Sequence, residues 1–200
     1  DLQEAMPDLV GQRHGTPVTA FGDGRFAARV VTEACVRDLA ELACDRGVER
    51  YDPPVRLTCA TKANVLTETD GLFRDTVCAV AEDREGVVVD HHHADDAANR
   101  LLTDPGRYDV LVAPYLAGDL LSGVGAAAAG GLGTAPSGCY GADAAYFEPN
   151  HGTAPDVAGE GVVNPTGTMR SAAMLLDYLG EGDAATRLRE AIRDTYAAGE

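Results

Sequence analysis

Apolar residues recur along this chain at two different intervals, and the intervals alternate. From Val30 to Cys44 the positions Val31, Ala34, Cys35, Leu39, Leu42 and Ala43 fall at helical spacing and predict one amphipathic helix. Val55 to Ala60 reads as a short strand, Gly71 to Ala81 resumes a helical period, and Gly86 to Asp90 is a second strand. Ala94 to Leu102 is predicted helical. Tyr108 to Ala113 reads as a buried strand, because apolar and β-branched residues dominate after Asp109. An alanine-rich helix from Leu120 to Ala129 leads into the glycine-dense stretch Gly130 to Gly133, and Ala144 to Phe147 is a further strand. Two helices, Thr168 to Leu179 and Ala184 to Ala197, finish the pattern, while residues 1 to 25 read as loops or short strands. Strands alternating with helices in this way predict an α/β layered fold.

Composition narrows the class. A chain of 200 residues is one domain or a two-lobed unit, since domains run from roughly 50 to 250 residues. The net charge of −16 argues against nucleic acid or an anionic membrane leaflet as the main partner. Among 16 basic residues 15 are Arg and one is Lys, Lys62, against 20 Asp and 12 Glu. So acidic and lysine-poor a surface suits a protein kept soluble in a salt-filled cytoplasm, where repulsion is screened within about 3 Å at molar salt. No apolar run reaches the roughly 18 residues a membrane-spanning helix needs. Neither a secretory leader nor an initiating Met is visible at the start, so a cytoplasmic protein, and a piece of a longer one, is expected. Five cysteines without CxxC spacing predict reduced, mostly buried thiols.

Chemistry concentrates in a few segments. The stretch from Glu148 to Pro165, EPNHGTAPDVAGEGVVNP, carries enough Gly and Pro to fix a convoluted backbone that presents His151, Thr153, Asp156 and Asn164. It resembles the adenine-nucleotide loop of the β-decarboxylating dehydrogenases, the family of isocitrate, 3-isopropylmalate, homoisocitrate and tartrate dehydrogenases. Three more segments agree in order: KANVLTETDGLF from Lys62, Asp95 at the head of a helix, and AGDLLSG from Ala117 with GGLGTAPS after it from Gly130.

The resemblance implies a two-lobed α/β fold lacking the N-terminal part of its cofactor lobe. Residues 1–125 would be the substrate and dimerisation lobe and 126–200 the C-terminal part of the cofactor lobe. It implies NAD-dependent oxidative decarboxylation of a malate-type 2-hydroxy acid, with 3-isopropylmalate of leucine biosynthesis favoured over isocitrate. Lys62 and Asn64 match the catalytic positions. Asp95 and Asp119 match ligands of a Mg²⁺ or Mn²⁺ ion, hard cations that prefer carboxylate oxygens. One carboxylate would come from a neighbouring subunit, so a homodimer with shared active sites is implied. Glu148, His151, Gly152, Thr153, Ala154, Asp156, Val157 and Asn164 match the cofactor-binding positions. A carboxylate at Asp156 favours NAD, because it accepts from ribose hydroxyls and repels a 2′-phosphate.

Three positions depart from the family pattern. Gly123 stands where a second Asp usually comes after the one matching Asp119, Gln3 where an Arg binds a substrate carboxylate, and Val10 where a catalytic Tyr is usual. They keep open a second reading, a catalytically impaired or regulatory subunit that binds nucleotide or a partner. His91-His92-His93 lacks further spaced ligands and is expected to be a solvent-facing turn.

Overall fold

The structure is a computed structural model and describes residues 29–199. Gln3 and Val10 lie outside that range.

Strand β1 (Val55–Thr61) is the centre of a three-stranded parallel sheet, with β2 (Val87–His93) on one side and β3 (Val110–Val112) on the other. Of its seven residues only Arg56 is exposed. Helices α1 (Glu33–Arg50) and α2 (Thr69–Glu82) supply Val36, Ala40, Ala43, Cys44, Phe73, Val77, Val80 and Ala81, which close over Leu57 and Cys59. On the opposite face, α3 (Ala94–Thr103) and α4 (Tyr115–Ala128) bring Ala97 and Leu121 against Ala60. Topology explains the two layers. The step β1–α2–β2 moves one way across the sheet and β2–α3–β3 moves back past β1, so crossovers of a single hand put α2 and α3 on opposite faces. Arg56 and Asp109 tie the rim together as a bidentate pair, at 3.0 and 2.7 Å, and hydrogen bonds from Arg56 hold Asp109 well below the usual carboxylate range, at about 2.

Beyond α4 the chain forms an antiparallel hairpin, β4 (Pro136–Tyr140) with β5 (Ala145–Pro149), on which α5 (Thr166–Tyr178) packs, and α6 (Gly182–Ala198) lies against α5. Ser171 on α5 donates to the Glu148 carbonyl at 2.7 Å and accepts from the Ser137 N–H at 3.3 Å, stitching helix to hairpin.

The α/β expectation holds. Several particulars of the sequence pattern do not. The buried stripe of α1 is Val36, Ala40, Ala43, Cys44 and Gly47, while Ala34, Cys35 and Leu39 are exposed. Small residues win that face because Gly47 packs against β1: a Cβ there would sit 2.9 Å from Val55 Cγ1. Helix α4 begins at Tyr115, a turn ahead of the expected Leu120, because Pro114 can precede a first turn that needs no N–H partner. The apolar pattern predicts no strand at β4, since its Pro, Ser and Gly carry turn chemistry and only pairing with β5 makes it extended. Cys44 and Cys59 are buried, Cys78 is partly so, and Cys35 and Cys139 are exposed, so the thiols are free but not mostly interior. The three histidines are no turn: they end β2, paired with Cys59, Ala60 and Thr61.

Glycine supplies a test of this packing. A Cβ on Gly167 would lie 3.0 Å from the carbonyl oxygens of Gly133 and Ala135, whereas one on Gly123 meets nothing within 4 Å. Gly167→Ala is expected to cost about 1–3 kcal/mol by overpacking against rigid backbone. Gly123→Ala is expected to gain up to about 1 kcal/mol of helix propensity. Urea unfolding of the two variants checks the pair; equal effects would contradict the packing described.

Candidate active site

Parallel strands end together, so the residues just past their carboxyl ends are brought together too. Here the order β2–β1–β3 reverses direction at β1, the kind of switch point where open α/β sheets leave a ligand crevice. Lys62 is the first residue after β1, and Asp95 lies in the first turn of α3, directly after β2. Across that gap Lys62 Nζ donates to Asp95 Oδ1 at 2.7 Å. The Asp95 carboxyl is held below its ordinary value, chiefly by the Lys62 hydrogen bond and next by the N–H of its own residue at the helix start. Both side chains stay accessible, 38% and 71% exposed, so an incoming ligand reaches them.

The turn that carries Lys62 is fastened by side chains. Asp70, on α2 and 1% exposed, accepts the Lys62 N–H on Oδ2 at 2.7 Å, and its Oδ1 forms a 2.8 Å ion pair with Arg29. Thr61 Oγ1 accepts the Ala63 N–H at 3.1 Å and lies 2.8 Å from His91 Nε2. Burial pushes His91 below its ordinary pKa, which favours the neutral ring, and the tautomer of that ring sets which partner of the Thr61–His91 hydrogen bond donates. Asn64 is exposed one residue further along. The sequence pattern does not single out Thr61 or Asp70, and it reads His91 only as part of a solvent-facing turn. An acid directly before Gly71 at a helix start is the available signal for Asp70.

Asp119 projects from the first half of α4, the helix that comes after β3, and is exposed. Among the described residues no three His, Cys, Asp or Glu side chains converge as a cation site within one chain. The donors at Asp95 and Asp119 are hard carboxylate oxygens, which suits Mg²⁺ or Mn²⁺ if water, substrate and a second chain complete the shell.

The remaining predicted residues lie on the other half of the molecule. Glu148 is in β5, and His151, Gly152, Thr153, Ala154, Asp156 and Val157 come next in the loop, which turns sharply at Ala154, φ 45° and ψ 58°, before a 3₁₀ turn over Pro155–Val157. A non-glycine residue in left-handed backbone is uncommon and is held here by the surrounding turn. His151 Nδ1 donates to the Gly152 carbonyl at 2.9 Å, and its Nε2 is buried and without a partner among the described residues. Such an orphaned ring nitrogen fits a ligand with a polar group to pair with it. Asn164 caps α5 by accepting the Thr166 N–H at 3.0 Å and donates to Tyr196 Oη at 3.0 Å. A cleft of about 1230 Å³, lined by Arg46, Arg50, Arg170, Arg189 and Arg193, touches the predicted site only at Asn164.

Lys62 and Asp95 meet at the carboxyl ends of parallel strands, where open α/β sheets leave a ligand crevice, and the loop after β5 lies on a second sheet. The family model described as "Isocitrate/isopropylmalate dehydrogenase" matches residues 10–200, and the chain belongs to that family. It is 51% identical over 140 residues to the isocitrate/homoisocitrate dehydrogenase of Thermus thermophilus, covering 70% of this chain and 42% of that protein. Against the 3-isopropylmalate/3-methylmalate dehydrogenase of Methanocaldococcus jannaschii it is 40% identical over 176 residues, 87% of this chain and 53% of that one. The crystal structure of isocitrate dehydrogenase from Methylococcus capsulatus superposes with a TM-score of 0.78 at 36% identity, covering 84% of this chain and 49% of the other. The chain thus spans about half the length of the curated relatives it matches.

Lys62→Met tests the central contact. Removing the ammonium is expected to raise the Asp95 carboxyl toward the ordinary value of about 3.9. Because the folded value is depressed, the pair's contribution to stability is present above the unfolded pKa and lost as pH falls through the folded one. Side-chain carboxyl NMR titration reads the shift, and an unmoved Asp95 would mean the contact does not form in solution.

Proposed function

We propose that the full-length form of this chain is an NAD-dependent oxidoreductase that oxidises and decarboxylates a malate-type 2-hydroxy acid. Favoured is 3-isopropylmalate, on the NAD-type loop at Asp156, with isocitrate as the other candidate. The observation that carries the reading is the 2.7 Å approach of the chain's single lysine to Asp95, with both side chains open to a ligand.

Asp95 of one copy and Asp119 of another would hold a Mg²⁺ or Mn²⁺ ion. Helix α4 supports a second copy: Tyr115, Leu116 and Leu120 are exposed on it, as is Leu102 at the end of α3. When bound, the cation would stabilise charge on the substrate oxygens during decarboxylation, and the nicotinamide would accept the hydride. Lys62 aids removal of the hydroxyl proton, a role closed to arginine, whose guanidinium keeps its proton. Asn64 orients the hydroxy acid beside it. Glu148 and the backbone from Gly152 to Ala154 shape the nucleotide loop, His151 and Asn164 flank the adenine, and Asp156 with Val157 faces the ribose. The division into a substrate lobe, 1–125, and a cofactor lobe, 126–200, belongs to the same reading. So does a salt-rich cytoplasm for a chain of net charge −16.

NADH formation with Mn²⁺ in molar salt, measured on the full-length form with each candidate acid, tests this. Turnover is expected with one acid, and Lys62→Met is expected to lower kcat by about 10²–10⁴-fold with KM for NAD nearly unchanged. Gly123→Asp is expected to tighten Mn²⁺ binding by restoring a carboxylate. No turnover with any acid would favour the second reading, a subunit that binds nucleotide or a partner, to which Gly123 already points.

A further inference from the structure

The two peptide N–H groups immediately past β1 are each claimed by a side chain. The Lys62 N–H goes to Asp70 and the Ala63 N–H to Thr61. Ordinary helix or sheet bonding would have left both to water or a carbonyl. Asp70 comes from α2, on one face of the sheet, and His91, behind Thr61, comes from β2, the neighbouring strand. The turn is therefore held from two independent elements. The carbonyl of Lys62 in turn accepts the N–H groups of Val65 and Leu66 at 2.9 and 2.8 Å, so the backbone at Lys62 is fixed on both sides.

Burying Asp70 to 1% exposure takes a carboxylate out of water, which is costly unless it is paired and hydrogen-bonded. Arg29 supplies the countercharge and Lys62 the hydrogen bond. A capping role for α2 does not account for this: Asp70 lies inside the helix, its side chain bonds outside it, and its own N–H is satisfied by the Leu66 carbonyl at 2.9 Å.

We propose that Asp70 and Thr61 are positioning residues, a two-point clamp on the Lys62–Ala63 backbone that aims the Lys62 amine at Asp95 and Asn64 at the hydroxy acid. The clamp rests on the dehydrogenase reading above and deepens it. Neither residue touches substrate. Each acts by restricting the backbone from which the catalytic side chains spring, and a displacement on the order of 1 Å at such a site costs about 10²-fold in rate.

The test uses the full-length form. Asp70→Ala leaves the Lys62 N–H without an acceptor; Asp70→Asn keeps an acceptor oxygen of the same shape but loses the charge opposite Arg29. Thr61→Val removes the second clamp point isosterically and guards against an Asp70 variant that fails to fold. Expected are kcat losses of about 10²-fold for Asp70→Ala and about tenfold for Asp70→Asn and Thr61→Val, with KM for NAD within about twofold because the nucleotide loop is on the other half. Loss of kcat without loss of cofactor affinity, partly rescued by the asparagine, is what general destabilisation would not produce. Asp70→Asn and Thr61→Val both within about twofold of the parent kcat would overturn the proposal, as would parallel losses in kcat, NAD affinity and thermal stability.

Should the parent itself turn over no acid, the dehydrogenase reading fails separately, and amide hydrogen exchange still decides the clamp. Lys62 exchange at least about tenfold faster in Asp70→Ala, and Ala63 exchange likewise in Thr61→Val, with the rest of β1 unchanged, would support it; unaltered protection at both amides would refute it.

Discussion

Strand β1 sits between two others and between two layers of helices, and nearly every part of the site inherits its position from that strand. Its two faces are covered by different helix pairs, α1 with α2 and α3 with α4, so it has no freedom to rotate or slip without exposing Leu57 and Cys59 or Ala60. A one-residue slip would exchange the two faces. The residue at its carboxyl end is thereby delivered to one place. That residue is Lys62, and the place is opposite the first turn of α3, where Asp95 sits at a helix N-terminus. Parallel pairing matters here as much as burial. Because β2 runs alongside β1 in register, Thr61 opposes His93, and the residues leaving the two strands enter the same crevice.

Electrostatics at this crevice differ from those of the rest of the molecule. In a chain of net charge −16 the single lysine has one close partner among the described residues, Asp95, while Asp70 beneath the backbone is matched by Arg29. The buried acid, Asp70, and the exposed one, Asp95, are thus kept apart, each with its own partner. The second half of the molecule is held differently. Its hairpin and helices are joined through Ser171, Asn164 and Thr166 and by the aromatic contacts of Tyr140, Phe147 and Tyr178, at 5.5 to 6.2 Å between ring centroids. That leaves the loop from Glu148 to Pro165 exposed over most of its length.

Much of this is legible from the residues. Strand and helix alternation predicts the layered sheet because central parallel strands are covered on both faces, and β1 is buried at every residue but Arg56. The loop is legible because its Gly, Pro and His pattern serves no core. Where local pattern misleads, a tertiary partner has outvoted a local preference. In α1 the larger residues Leu39 and Cys35 suggest the buried stripe, but close approach to β1 selects Gly47 and alanines instead. In β4 a turn-like composition is extended only because β5 lies beside it. The three histidines read as a turn because nothing in their own pattern reveals that Cys59, Ala60 and Thr61 pair with them.

What the order of residues determined alone is the set of chemical groups and the elements that bear them: one lysine after a strand, acids at helix starts, and a glycine-rich nucleotide-type loop. What only the tertiary structure decided is which of those groups meet. Asp70 is one of 20 aspartates, and its place before Gly71 at a helix start does not by itself say what it bonds. It becomes distinct because packing of α2 against the sheet removes it from water, and a desolvated carboxylate needs a countercharge and a donor, which here are Arg29 and the peptide N–H of Lys62. Pairings between residues 8 to 33 positions apart depend on the crossing of sheet and helices, and no local pattern encodes a crossing.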